Sequence, residues 1–113
     1  MFDRETRLAI SHFFIARLGD EMAGYGGFWD IAGEAHIVNI AVHPSFRRRG
    51  VARAILAHLT ALAGEQGADK LLLEVRASND AALGLYGSSG FTRTGTRPKY
   101  YGTEDAVLME KHL

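Results

Sequence analysis

The chain has 113 residues, no cysteine, and 13 basic side chains that cancel 13 acidic ones. This length can bury a real core as one domain, and the balanced charge argues against a general nucleic-acid or membrane-surface binder. The missing thiols exclude disulfides, a thiol nucleophile and a zinc–thiolate site, which fits the cytosol, and neither a membrane-length apolar run nor a signal peptide's apolar centre is present.

In chain order, Asp3 to Ala9 reads as a short helix capped by Asp3. His12 to Leu18 is apolar and β-prone, and Gly19-Asp20 turns it into a second strand, Met22 to Trp29. Gly24, Gly26 and Gly27 weaken that strand and predict a bulge or the close approach of another segment. Ala32-Gly33 turns into a third strand, Glu34 to Val42, completing an antiparallel meander that Pro44 ends because it cannot donate to a ladder.

The clearest helix follows, from Ala52 to Ala63. Ala52, Ile55, Leu56, Leu59, Leu62 and Ala63 recur at the spacing of one buried face, and Gly64 and Gly67 close it. Lys70 to Val75 is a central strand, apolar apart from Glu74 and its first residue. Ser78-Asn79-Asp80 is a dense N-cap signal for a second helix, Ala81 to Ser89, which Gly90 ends. Gly84 and Gly87 lie inside that helix without an evident reason. Phe91 to Thr96 and Asp105 to Glu110 are the last strands, joined by a tyrosine-bearing loop. The order is β-β-β-α-β-α-β-β, and the helical crossover from the third to the fourth strand predicts parallel neighbours, hence a mixed sheet.

The run Arg47-Arg48-Arg49-Gly50-Val51-Ala52-Arg53 is the most informative stretch for function. A Gly-containing strand-to-helix turn aims backbone N–H groups at the positive end of a helix dipole, and arginines add a rim suited to phosphate. A solvated surface loop or a weak nucleic-acid patch would read similarly. The turn is not a Walker loop, and Gly50 stands alone where a dinucleotide fingerprint wants three glycines.

Asn39-Ile40-Ala41-Val42-His43-Pro44, the R-x-x-G-x-A from Arg47 to Ala52, and Leu73-Glu74-Val75-Arg76-Ala77-Ser78-Asn79 are followed by Leu85-Tyr86 and Gly90-Phe91. This series resembles the GNAT acetyltransferases, and more narrowly the ribosomal-protein alanine N-acetyltransferases (RimI type). Arg97-Pro98-Lys99-Tyr100-Tyr101 and Glu104-Asp105-Ala106 continue the match, which covers about residues 10 to 113. The resemblance implies an α/β (α+β) fold, a mixed, mostly antiparallel sheet with helices packed on it. It implies acetyl transfer from acetyl-CoA to a protein N-terminal α-amine, such as the alanine of a ribosomal protein, without a metal. It also implies that Arg47, Arg48, Arg49, Gly50, Val51, Ala52 and Arg53 cradle the CoA pyrophosphate. Ile40, Ala41 and Val42 would pair with the pantetheine arm, and Asn79 would hydrogen-bond the co-substrate.

An α-amine titrates near pH ~8, so transfer at neutral pH wants a general base. Glu74 is the one ionisable group between apolar strand residues, where burial would raise its pKa toward working pH. The alternative is a surface carboxylate paired with Arg76 on the same strand face. The resemblance places Glu74 at the family's base and Tyr86 at its acid. A phenol of pKa ~10 can return a proton to a thiolate whose thiol is near ~8.5, although a helix tyrosine commonly packs its ring and leaves its hydroxyl in water. A backbone N–H near Val42 would serve as the oxyanion donor. Tyr100 and Tyr101 would flank the incoming peptide, or else stand exposed at a hairpin tip. His12, His36 and His43 lack metal-ligand spacing and read as structural or surface residues.

Family chains ordinarily open with a strand and two helices before the first hairpin strand. The expectation is therefore a single domain over residues 1–113 that lacks most of that segment, with an exposed sheet edge inviting a homodimer. A small-molecule amine acetyltransferase, and a non-catalytic acetyl-CoA-binding module that needs a partner, are the alternative functions.

Overall fold

The computed structural model describes residues 10–47, 50–100 and 102–113. The helix expected over Asp3–Ala9, and Arg48, Arg49 and Tyr101, lie outside the described residues. The elements are β1 (Ile10–Leu18), β2 (Glu21–Ile31), β3 (Glu34–Val42), a short 3-10 helix (Pro44–Phe46), α1 (Val51–Glu65), β4 (Lys70–Arg76), α2 (Asp80–Ser88), β5 (Thr92–Arg97) and β6 (Ala106–His112). Their order is the expected one, with most boundaries displaced by one or two residues. The 3-10 turn is an addition. Pro44 at its start sets a helical φ, and His43 Nδ1 accepts from Ser45 N at 3.1 Å to cap it.

The six strands form one sheet in the order β1-β2-β3-β4-β6-β5. All pairings are antiparallel except β3 with β4, so the sheet is mixed as the helical crossover predicts. The order at the far end was not legible in the sequence. β6 inserts between β4 and β5, so Arg76 and Arg97 are both opposite Ala106 and the β5–β6 loop returns to the C-terminal end of β4.

α1 covers one face of β2 and β3. Val51, Ile55, Leu56, Leu59 and Ala63 are buried, while Ala52 and Leu62 of the expected face are half-buried. The helix sits close because β2 offers glycine beneath it. A Cβ on Gly26 would lie 2.6 Å from Ile55 Cγ2 and 3.3 Å from Leu59 Cδ1. This close approach answers the glycine-rich strand, and the register of β2 with β3 shifts just beyond it. Gly27 pairs with Asn39 but Phe28 pairs with Ile37, so Val38 is an extra residue on β3.

Candidate active site

β3 and β4 are paired over only the first residues of each. The ladder runs through Glu34–Lys70, Ala35–Leu71 and His36–Leu72 and then stops. The bulge at Val38 bends β3 away, and a gap opens between the C-terminal halves of the two strands. His43 N donates to Ala23 O at 2.7 Å, and antiparallel alternation then gives Ala41 and Asn39 the bonds to β2. The peptide groups of Ile40 and Val42 are consequently turned toward the gap. Ala41 is turned the other way, so within the expected Ile40–Val42 stretch only alternate residues present backbone groups to a ligand.

Three cavities share walls along this gap. The middle one, about 260 Å³, is lined by Ile40, Glu74, Asn79 and Tyr86 among others. On one side, a cavity of about 420 Å³ adds Val42, Arg47, Gly50, Val51, Ala52 and Arg53. On the other, a cavity of about 310 Å³ adds His36, Thr94, Arg97 and Tyr100 while keeping Glu74. Glu74 thus stands between the middle and last cavities, and Tyr86 between the first two.

The first cavity ends at the start of α1. Gly50 is its N-cap with φ 76°, a left-handed geometry that glycine adopts without strain, and no side chain caps the helix. The ladder begins with Ala54 N donating to Gly50 O at 3.0 Å. The N–H groups of Val51, Ala52 and Arg53 therefore precede it, at the positive end of the dipole. Exposed Arg47 adds its charge to the wall. The Arg53 guanidinium also links two helices: its Nη2 donates to Ser88 Oγ at 3.0 Å and its Nη1 to Ser89 Oγ at 3.4 Å, tying α1 to the end of α2.

Asn79 caps α2, its Oδ1 accepting from Ala82 N at 3.1 Å. Its NH₂ group and the second lone pair of that oxygen remain for a ligand. Tyr86 is half-buried, with its ring edge-on to Phe91 at 5.7 Å between centroids.

Glu74 departs from the reading that relied on burial. The β4 pattern alternates, with Leu71, Leu73 and Val75 buried and Glu74 on the exposed side. Its side chain keeps 31% of its accessibility rather than being enclosed by its apolar strand neighbours. Nor does it pair with Arg76. Arg97 Nη2 lies 3.5 Å from Glu74 Oε1, while Arg76 Nη1 lies 3.7 Å from Glu104 Oε2. Tyr100 is exposed, and the Arg97 guanidinium stands over its ring at 4.9 Å. Arg97 and Glu104 were not singled out from sequence. Both lie in runs that carry the family resemblance, but only the insertion of β6 brings them to β4.

Among the described residues no group of His, Asp and Glu could hold a metal, and no helix is long and apolar enough to cross a membrane. His36 lies 3.5 Å from Glu34 and lines the cavity beside Tyr100.

Residues 1–91 match the acetyltransferase (GNAT) family model. The chain is 45% identical over 94 residues to a [ribosomal protein bS18]-alanine N-acetyltransferase of Salmonella typhimurium, covering 80% of this chain and 64% of that relative. It thus spans just under two thirds of that protein's length. The crystal structure of the ribosomal-protein-S18-alanine N-acetyltransferase from Escherichia coli superposes with a TM-score of 0.84 at 38% identity, over 90% of this chain and 68% of that one. A putative streptothricin acetyltransferase from Bacillus anthracis, solved with acetyl coenzyme A, gives a TM-score of 0.83 at 25% identity, over 89% of this chain and 61% of that one.

Proposed function

The chain belongs to the acetyltransferase (GNAT) family, and from that premise we propose that it transfers an acetyl group from acetyl-CoA to a protein N-terminal α-amine, such as the alanine that begins a ribosomal protein. The observation that carries this reading is the parting of β3 from β4, which leaves Glu74, Asn79, Tyr86 and the backbone of Ile40 around one cavity. Bound acetyl-CoA supplies an activated thioester. The α1 N-terminus with Arg47 and the Gly50 turn holds its phosphates, and Ile40 and Val42 hold its amide-bearing arm as a neighbouring strand would.

Glu74 takes a proton from the acceptor amine, directly or through a water, as the amine nitrogen attacks the thioester carbon. The N–H of Val42 stabilises the negative charge that builds on the thioester oxygen. The C–N bond forms, the C–S bond breaks, and Tyr86 returns a proton to the departing thiolate. Tyr100, which lines the same cavity as Glu74, flanks the peptide. The partners on this reading are acetyl-CoA, a protein or peptide N-terminus, and a second copy of the chain met along β1, an edge strand among the described residues.

The test is incubation of the purified chain with acetyl-CoA and an alanine-starting peptide, following thiol release and peptide mass, beside thermal melting with acetyl-CoA alone. A ligand at 100 times its Kd adds about 2.7 kcal/mol, a plain upward shift in Tm. A shift without transfer to any amine would replace the enzyme with a binding module that needs a partner. The likeness to the streptothricin acetyltransferase supports a second reading, in which the acceptor is a small-molecule amine. Competition between the peptide and such amines separates the two.

A further inference from the structure

The β5–β6 loop carries Tyr100, and its only covalent supports are the ends of β5 and β6. Contacts among the described residues fasten it to the end of β4 and the turn that leads to α2, where Asn79 sits. Ser78 donates to Glu104 Oε1 from its backbone N at 2.9 Å and from its Oγ at 2.5 Å. Arg76 Nη1 approaches Glu104 Oε2 at 3.7 Å. Ala77 N donates to Asp105 O at 3.1 Å, and Asp105 Oδ1 accepts from Lys99 N at 2.8 Å, closing the loop on itself next to Tyr100. Glu104 touches none of the three cavities along the gap.

We propose that Glu104 is a positioning residue, a strut that holds the loop bearing Tyr100 against the turn 76–79 and so sets the wall past which an acceptor reaches Glu74. This deepens the acetyltransferase reading and rests on it for its kinetic readout. A carboxylate suits the place because two donors from Ser78 converge on one oxygen while the guanidinium faces the other, and charge-assisted bonds of this kind exceed neutral ones in strength. The strut acts on where the acceptor sits. Its loss therefore weakens acceptor use before it affects the co-substrate.

The experiment compares wild type with Glu104→Ala, Glu104→Asp, Ser78→Ala and the Glu104→Ala/Ser78→Ala pair. Glu104→Ala is expected to raise KM for an alanine-starting peptide about tenfold, with kcat within about twofold and the acetyl-CoA melting shift intact. Ser78→Ala, which keeps the backbone donor, raises KM less. The pair matches Glu104→Ala alone, since both changes break one contact. Glu104→Asp restores part of the loss. A fall in kcat at unchanged KM, or fully additive single changes, overturns the strut.

A second readout needs no turnover. Trypsin cuts after Lys99, inside the fastened loop, and Glu104→Ala should speed that cut severalfold under native conditions. An unchanged rate there overturns the proposal. If wild type acetylates no amine, the transferase reading falls and this rate alone decides the strut.

Discussion

Glu74 and Tyr86 divide the proposed proton traffic, and their placement predicts different losses. Replacing Glu74 with Gln keeps the shape of the side chain but removes the base, so kcat for an α-amine acceptor should drop by about 10²- to 10⁴-fold, least at high pH where the amine is already neutral. Replacing Tyr86 with Phe keeps the ring against Phe91 and should cost roughly 10²-fold in kcat with KM little changed. Single-turnover kinetics across pH checks both, and a Glu74→Gln enzyme as fast as wild type sinks the mechanism. The identity of Glu74 as the odd residue in an apolar strand was legible in sequence. Its environment was not, because a strand's period fixes the face of a side chain but not whether anything covers that face. Glu104 supplies a separate pH signal. The Ser78 hydroxyl, then the Ser78 backbone N–H, hold its carboxyl below the ordinary value; desolvation opposes them, and Arg76 adds to the pull. A lowered folded pKa gives stabilisation that is fully present above the ordinary 4.5 and is lost as pH falls through the lower folded value. Urea unfolding at a series of acid pH values should therefore show a shallower acid loss in Glu104→Gln than in wild type. Identical slopes would remove the assigned contact.

At the scale of elements, the cleft depends on the seat of α1. Gly26 lets Ile55 and Leu59 descend onto β2, and that descent brings the helix N-terminus up to the gap beside β3. Gly26→Val puts methyl groups where Ile55 already stands. Overpacking of this kind costs about 1–3 kcal/mol. The accompanying shift of α1 should weaken acetyl-CoA binding more than the loss of stability alone explains, measured by titration well below the melting temperature. Retained affinity in a destabilised Gly26→Val protein would uncouple helix seat from cleft. The glycines of β2, the Pro44 stop and the period of α1 made the meander and helix readable, since each acts through local backbone rules. The bulge at Val38 and the insertion of β6 did not show themselves. The first depends on how β2 and β3 settle in register, and the second on non-local pairing that no window of sequence contains. Gly84 and Gly87 stay without explanation, as a Cβ at either would meet no atom within 4 Å.

On the whole molecule, the sheet is covered unequally. α1 takes one face of β2 and β3, whereas Phe13, Ile15, Tyr25, Trp29 and Val38 keep 56%, 57%, 40%, 44% and 52% of their accessibility on the strands across from it. The register puts Phe13 opposite Gly27 and Ile15 opposite Tyr25, so these side chains adjoin rather than scatter. At ~150–250 Å² for each aromatic, the patch exposes roughly 500 Å² of apolar surface, at the upper end of what monomers show. Two such patches would bury about 1,000 Å² together, the area at which a specific interface becomes credible. Among the described residues β1 is also an edge of the sheet, which offers backbone for pairing beside the same patch. Sedimentation velocity should accordingly show a dimer that grows with concentration. Ile15→Lys places a charge in the middle of the patch and should return the chain to a monomer. Acetyl-CoA binding should survive that change, because Ile15 lines none of the three cavities along the gap. A wild-type chain that stays monomeric throughout rules out pairing through this face. A dimer that Ile15→Lys leaves intact moves the contact elsewhere on the surface.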